Sequence, residues 1–211
     1  NNPDGSYHSA NDLQSVLKRL RHVGTVIVDE SFSHFAETSG VHSICGHLMS
    51  TEFPNLIVIK SLSKDSGIAG LRLGYAVMSE ERVSALLAKG YLWNVSGCGE
   101  YFLDLLNDLK FLREYEQARL RAIRERDDFY KKLSAIQGIK VYPSKANMFL
   151  VELLDGLKAG DLAVRLLVRH GIYIRTCYDK VGLTGEFIRV ASRTKKENAA
   201  LAKALTHTLV A

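Results

Sequence analysis

The chain has 211 residues, 46% of them hydrophobic and 24% charged, with a formal net charge of +5 and a pI near 9.1. That makeup belongs to a globular protein with one substantial core or two smaller ones, and it excludes intrinsic disorder. Asp, Glu, Lys or Arg interrupts every apolar run well short of the roughly 20 residues that cross a bilayer. The densest basic stretch, 113–132, also holds Glu114, Glu116, Glu125, Asp127 and Asp128, so it reads as a solvated helix face and not as a nucleic-acid footprint.

The opening Asn1-Asn2-Pro3-Asp4-Gly5 has neither an initiator Met nor the charged-then-apolar pattern of a signal peptide, so the sequence reads as starting inside a longer polypeptide. In chain order, Leu13, Val16, Leu17 and Leu20 form one stripe of a helix over 11–23, with Ser9 or Asn11 as its N-cap. The runs Thr25 to Val28, leading into Asp29, and Leu56 to Ile59, leading into Ser61, are continuous and β-branched, as in strands buried on both faces. A third strand is expected over 73–78. From Gly99 onward, Phe102, Leu105, Leu106, Leu109, Leu112, Leu120 and Ile123 recur at helical spacing, predicting one long helix to about Leu133 that links two domains.

The remainder alternates: strands over 139–142 and 148–153, a helix over 161–170, strands over 173–175 and 187–191, and a helix over 196–209. Gly138, Gly171 and Gly185 stand at the joints, where positive φ is easily accommodated. The expected fold class is α/β: a portion of a mainly parallel-sheet large domain over 1–118, then a small α+β domain over 119–211. In such sheets ligands gather at the carboxyl ends of strands, where Asp29 and the segment 61–64 fall. Cys45, Cys98 and Cys177 are odd in number and far apart, which argues for a reducing compartment, with the cytoplasm as the expected location.

The segment Ser61-Leu-Ser63-Lys64-Asp-Ser-Gly67-Ile-Ala-Gly70-Leu-Arg72-Leu-Gly74 carries the chemistry. A strand ends in two hydroxyls and an amine, glycines allow tight turns, and a guanidinium follows. Hydroxyls and a planar guanidinium suit a phosphate monoester, and a lysine amine beside that anchor can form a Schiff base with an aldehyde. The segment is similar to the S-x-S-K-x-x-G-x-x-G-x-R-x-G signature of fold-type I, class I/II aminotransferases, in the branch of histidinol-phosphate aminotransferase and threonine-phosphate decarboxylase. The resemblance implies pyridoxal 5′-phosphate as cofactor. Lys64 would hold it and shuttle the substrate's α-proton, while Ser61, Ser63 and Arg72 would contact its phosphate.

Three further stretches carry the resemblance. Asn1 to Gly5 resembles the end of the family's N-P-N-N-P-T-G element, which implies that Asn2 contacts the cofactor's phenolic oxygen; in isolation the pentapeptide is a plain turn. Val28-Asp29-Glu30-Ser31-Phe32 looks like the V-D-E-A-Y or V-D-E-S-F element. By resemblance the Asp29 carboxylate faces the pyridine nitrogen and keeps it protonated, and a helix cap is the alternative. Phe32 stands where many relatives carry tyrosine, which keeps decarboxylase chemistry open. Phe187-Ile-Arg189-Val-Ala-Ser-Arg193 resembles the strand whose arginine grips the substrate's α-carboxylate, a role that falls to Arg189. Alternation puts Phe187, Arg189 and Ala191 on one inward face, where an Asp or Glu partner is the structural alternative. Arg193 is expected to be exposed, and Asn147 matches a family asparagine near the carboxylate.

No metal site is expected: His42, Cys45 and His47 lack a fourth ligand at suitable spacing. Trp93 is expected to pack at a subunit or domain seam. The resemblance covers the second half of a family member. It implies a homodimer, and a preceding half that supplies the ring-stacking aromatic and the helix start at the phosphate. The chain alone is therefore expected to be inactive. Three readings stand: amino transfer between an amino acid and a 2-oxo acid in the parent protein, with decarboxylation of a phosphorylated amino acid such as threonine phosphate as the alternative, and a non-catalytic homologue used for binding or assembly as a third. Leu92 to Leu106 and 171–177 also resemble transaminase modules fused behind a nucleotidyltransferase domain.

Overall fold

The computed structural model describes residues 1–36, 43–45, 52–90 and 95–210, which divide into two units. One is His8–Arg119. The other is Leu120–Ala211 together with Asn1–Tyr7. The expected boundary after residue 118 put residues 1–7 with the first domain, and here the structure differs. The Lys145 amide donates to the Gly5 carbonyl at 2.8 Å, and a Cβ on Gly5, which has φ +69°, would lie 1.9 Å from Ser144 Oγ. Only glycine permits that approach.

In the His8–Arg119 unit, helix α1 (Ala10–Arg19) starts from a reciprocal box: the Asp12 amide donates to Ser9 Oγ, and the Ser9 amide donates to Asp12 Oδ2. It stops short of the expected residue 23 because Asn55 Nδ2 donates to the Leu20 and Val23 carbonyls, holding a turn there. Strands β1 (Val26–Asp29), β2 (Leu56–Ser61) and β3 (Gly74–Val77) form a sheet in that order. The β1–β2 pair is parallel and the β2–β3 pair antiparallel. Between β2 and β3 run only the one-turn helix α2 (Leu62–Asp65) and a 3-10 turn, Ala69–Leu71, without the long covering helix of a parallel crossover. Gly74 lets β3 close on β2, since a Cβ there would lie 2.7 Å from the Lys60 carbonyl oxygen.

One sheet face carries Leu56 and Val58 into a core with Leu17, Ile44 and Phe53. The other face contradicts the expectation of burial on both sides, for Ile27 is 61% exposed and Ile59 37%. No element among the described residues of this unit covers them. Helices α3 (Glu80–Ala88) and α4 (Gly97–Leu105) follow, α4 capped by Ser96, whose Oγ accepts from the Gly99 amide. The expected continuous helix from 99 to 133 is broken at residues 106–108. Asp108 Oδ1 accepts from the Lys110 amide at 2.7 Å and starts a separate helix, α5 (Leu109–Ser134).

The other unit holds β4 (Ile139–Val141), β5 (Met148–Leu153), β6 (Arg175–Thr176) and β7 (Glu186–Ala191) in the antiparallel order β4-β5-β7-β6. Helices α6 (Ala159–His170) and α7 (Lys195–Val210) and the end of α5 cover one face, burying Phe129, Phe149, Leu162, Ile188 and Leu205 almost completely. Gly138, Gly171 and Gly185 have φ of +80°, +64° and +133°. The architecture is mixed α/β. Among the described residues, no helix is long and apolar enough to cross a membrane.

Candidate active site

A cavity of about 440 Å³ opens where β2 ends, and Ser31, Ser61, Ser63 and Arg72 bring three hydroxyls and a guanidinium to its wall. The local fold explains their convergence. Ser61 is extended (φ −88°, ψ 129°), and its Oγ accepts from the Ser63 amide at 3.3 Å, starting α2. That single turn directs Leu62 and Ser63 inward and leaves Lys64 exposed beside the cavity, outside its lining. The Leu62 amide donates to the Leu73 carbonyl at 3.0 Å, closing the loop so that Arg72 returns to the same wall. Arg72 holds φ 54° and ψ 48°, the only positive-φ residue other than glycine among those described, and its Nη1 donates to the Ala69 carbonyl at 3.0 Å. Left-handed backbone at a bulky residue is strained and concentrates at functional sites.

Asp29 ends β1 and is exposed, with Oδ1 accepting from the Ser31 amide at 2.8 Å. The register pairs Asp29 with Ile59, Ile59 with Ala76 and Ser61 with Gly74, so Asp29 shares the sheet face of the cavity-lining Ile59 and Ser61. It stands one strand away from that wall without lining it. Ser31 was not among the residues singled out from the sequence, yet its Oγ accepts from the Ser61 amide at 3.2 Å and reaches the cavity. The available signal was the hydroxyl in Asp29-Glu30-Ser31-Phe32. Tyr75 also lines the cavity, and its phenol is pushed up from the ordinary value by burial, with Cys45, Glu30 and Asp65 adding to the shift.

Asn2, Arg189 and Asn147 belong to the other unit. Arg189 Nη1 donates to Asn2 Oδ1 at 2.8 Å, joining two residues 187 positions apart. Arg189 lies opposite Leu150 on β5 and Arg175 on β6, on the same strand face as Phe187 and Ala191. The alternation is as expected, but this is the face away from the helix-covered core, and Arg189 is half-buried. No Asp or Glu among the described residues pairs with it, whereas Arg175 is held by Asp179 at 2.8 Å. Arg189 thus keeps charge available for an anion. Beside it, burial pushes the Cys177 thiol up, and the Arg189 charge opposes the shift.

Asn147 is half-buried, with its carbonyl accepting from the Ser192 amide at 2.8 Å. Arg193 is exposed and pairs with Glu197 at 2.8 Å. Among the described residues no group of three His, Cys, Asp or Glu could hold a metal; His42, His47 and Trp93 lie outside the described residues.

Residues 1–205 match the family described as aminotransferase class I and II. The chain belongs to that family. It is 50% identical over 206 residues to an L-serine phosphate decarboxylase of Campylobacter jejuni and 46% identical over 206 residues to another from Sulfurospirillum multivorans, covering 97% of this chain and 53% of each relative. A histidinol-phosphate aminotransferase of Thermoanaerobacter pseudethanolicus is 36% identical over 187 residues, 88% of this chain and 48% of that one. A solved decarboxylase from Sulfurospirillum multivorans superposes with a TM-score of 0.91 at 45% identity, over 99% of this chain and 59% of that one. The chain thus spans about half the length of the curated relatives it matches. Class I and II enzymes depend on pyridoxal 5′-phosphate. Three hydroxyls and a guanidinium around a cavity of about 440 Å³ suit the phosphate and size of that cofactor.

Proposed function

We propose that the protein containing this chain is a pyridoxal-phosphate enzyme, a homodimer, that decarboxylates a phosphorylated amino acid of the serine phosphate type. The observation that supports the cofactor reading is the hydroxyl and guanidinium cavity whose wall includes Ser63, the residue before Lys64. The choice of decarboxylation over amino transfer rests on the two serine phosphate decarboxylases at 50% and 46% identity, which reverses the order in which the sequence ranked the two reactions.

When bound, the cofactor supplies an electron sink for the pair left at the substrate's α-carbon. Ser31, Ser61 and Ser63 would donate hydrogen bonds to its phosphate, and Arg72 would add charge-assisted ones. Lys64 would hold the cofactor through its Nζ, and its freed ammonium would supply the proton that replaces the carboxylate on the substrate's α-carbon. Asp29 would keep a proton on the ring nitrogen. In the other unit, Arg189, whose Nη1 donates to Asn2 Oδ1, would be the guanidinium to take an anionic end of the substrate. For decarboxylation that end is the phosphate, because a guanidinium on the departing carboxylate stabilises the charge that the reaction must remove. For amino transfer it is the α-carboxylate, with Asn147 beside it.

Product analysis tests this reading. The full-length protein with cofactor and O-phosphoserine is expected to release carbon dioxide and the phosphorylated primary amine in equal amounts, without a 2-oxo acid acceptor. Amino transfer, the reading favoured by the histidinol-phosphate aminotransferase relative, predicts keto acid beyond one equivalent of enzyme only when an acceptor is present. Neither product would leave the non-catalytic reading.

A further inference from the structure

We propose that Lys60 and Asp65 are positioning residues for Lys64, an inference that rests on Lys64 being the cofactor lysine. Lys60 points from β2 into the covered side of the sheet, and its side chain is 2% exposed; that of Asp65, at the end of α2, is 1% exposed. All three ammonium protons of Lys60 have partners: the Glu30 carbonyl at 2.8 Å, Ser33 Oγ at 3.0 Å and Asp65 Oδ2 in a direct ion pair. Glu30 follows Asp29, and Asp65 follows Lys64. A single ammonium therefore bolts the strand end that carries Asp29 to the turn that carries Lys64.

The turn needs such a fastening. Helix α2 has four residues, far below the length at which a helix holds itself in water, so its direction is set by tertiary contacts. Ser61 and Ser31 fasten its start, and the Lys60–Asp65 pair fastens its end. A buried ion pair is a poor device for stability, because apolar residues of similar volume commonly hold a fold as well or better. What apolar contacts do not supply is direction. Asp65 Oδ1 is buried without a hydrogen-bond partner among the described residues, and Asp65 Oδ2 also faces His34 Nδ1 at 3.7 Å, which itself contacts the Tyr115 hydroxyl at 2.7 Å. The carboxylate is thus confined from several sides. With Asp65 confined, the backbone of the neighbouring Lys64 is held in one orientation, directly after Ser63 of the cavity wall.

Reductive labelling tests this on the full-length protein. Pyridoxal phosphate and borohydride are added for a short interval, and labelling at Lys64 is compared by peptide mapping with labelling at the exposed Lys196 in the same sample. Lys60→Met and Asp65→Asn are expected to lower the Lys64 to Lys196 ratio about 10- to 100-fold, the scale of a misplacement of about 1 Å, while Lys60→Arg restores most of it. Ser33→Ala, which removes one of three contacts, is expected to fall between and carries the test if Lys60→Met does not fold. Variants that melt lower but keep the wild-type ratio would overturn the proposal, since a purely structural pair changes stability alone. A wild-type protein labelled elsewhere than Lys64 would instead overturn the cofactor assignment, and the two failures are distinct.

Discussion

Replacing Arg72 with glycine separates what the residue does for the fold from what it does for the ligand. At φ 54° and ψ 48°, Arg72 pays a left-handed backbone cost of roughly 1–2 kcal/mol that glycine escapes. Glycine in turn loses about 0.5–1 kcal/mol of extra chain entropy on folding. The remaining side-chain bond, Nη1 to the Ala69 carbonyl, is exposed and contributes little. The balance is about 0 to +1 kcal/mol, so Arg72→Gly is expected to melt at the wild-type temperature or up to about 4 °C above it in the absence of ligand. Arg72→Ala keeps the strained backbone and is expected to melt about 2–4 °C below Arg72→Gly. Both variants lose the guanidinium. A hydrogen bond to a charged group is worth about 1.5–3 kcal/mol, and taking the low end for an exposed arginine gives about tenfold weaker pyridoxal-phosphate binding in both. Thermal melts of the ligand-free protein and a cofactor titration followed by absorbance read the two quantities separately. Equal melts for the glycine and alanine variants would refute the strain, and wild-type affinity in either would refute the phosphate contact.

Tyr115 gives a pH prediction. Burial, with the nearby Asp65 charge, raises its phenol above the ordinary value of 10, so its contribution to stability is complete below pH 10 and is lost as pH rises through the raised value. Tyr115→Phe is expected to lower the neutral-pH plateau by about 1 kcal/mol through the lost His34 bond and to flatten the alkaline decline, as read by denaturant titrations across that range. Phe149→Ala removes a ring that is 1% exposed and packed edge-on to Phe129 at 5.9 Å; a loss of about 3–5 kcal/mol is expected from the same titrations at pH 7, and a loss below about 1 kcal/mol would contradict the described packing. Gly5→Ala, with Ser144 Oγ only 1.9 Å from the new Cβ, is expected to detach residues 1–7 and release Asn2 from Arg189. Faster proteolysis within 1–7 is the readout, and unchanged cleavage would argue against that docking.

Much of the site lay open in the sequence because its spacing is local. Ser61, Ser63, Lys64 and Arg72 sit within one strand, one turn and one loop, so the motif determines their neighbourhood directly. Strand alternation likewise put Phe187, Arg189 and Ala191 on one face, although which face the helices cover depends on how α5, α6 and α7 pack. The Asn2–Arg189 bond was hidden because contact across 187 positions leaves no periodic trace. Lys60 escaped notice for a different reason: a lysine inside an apolar strand reads as a solvent-facing interruption, and only the fold shows Glu30, Ser33 and Asp65 gathered around it. The direction of β3 and the break at residues 106–108 were missed because apolar periodicity carries neither strand polarity nor the capping effect of a single Asp108.

The two units differ in a way that bears on the chemistry. The unit built from β4 to β7 closes its core, with Val151, Leu162, Leu166, Ile188 and Leu205 fully buried. The unit that carries the lysine leaves the sheet face of Ile27, Asp29 and Ile59 in contact with water. A carboxylate holding a proton on a ring nitrogen about 4 Å away gains only about 1 kcal/mol in bulk water, against about 4 kcal/mol at the effective dielectric of a protein site. The difference of about 3 kcal/mol is roughly two powers of ten in the fraction of ring kept protonated. In the proposed role, Asp29 would therefore reach its full effect only when this face is dry. A face with two exposed isoleucines beside the one carboxylate that needs low dielectric is suited to a covering layer, and relatives about twice as long as this chain have the length to supply one.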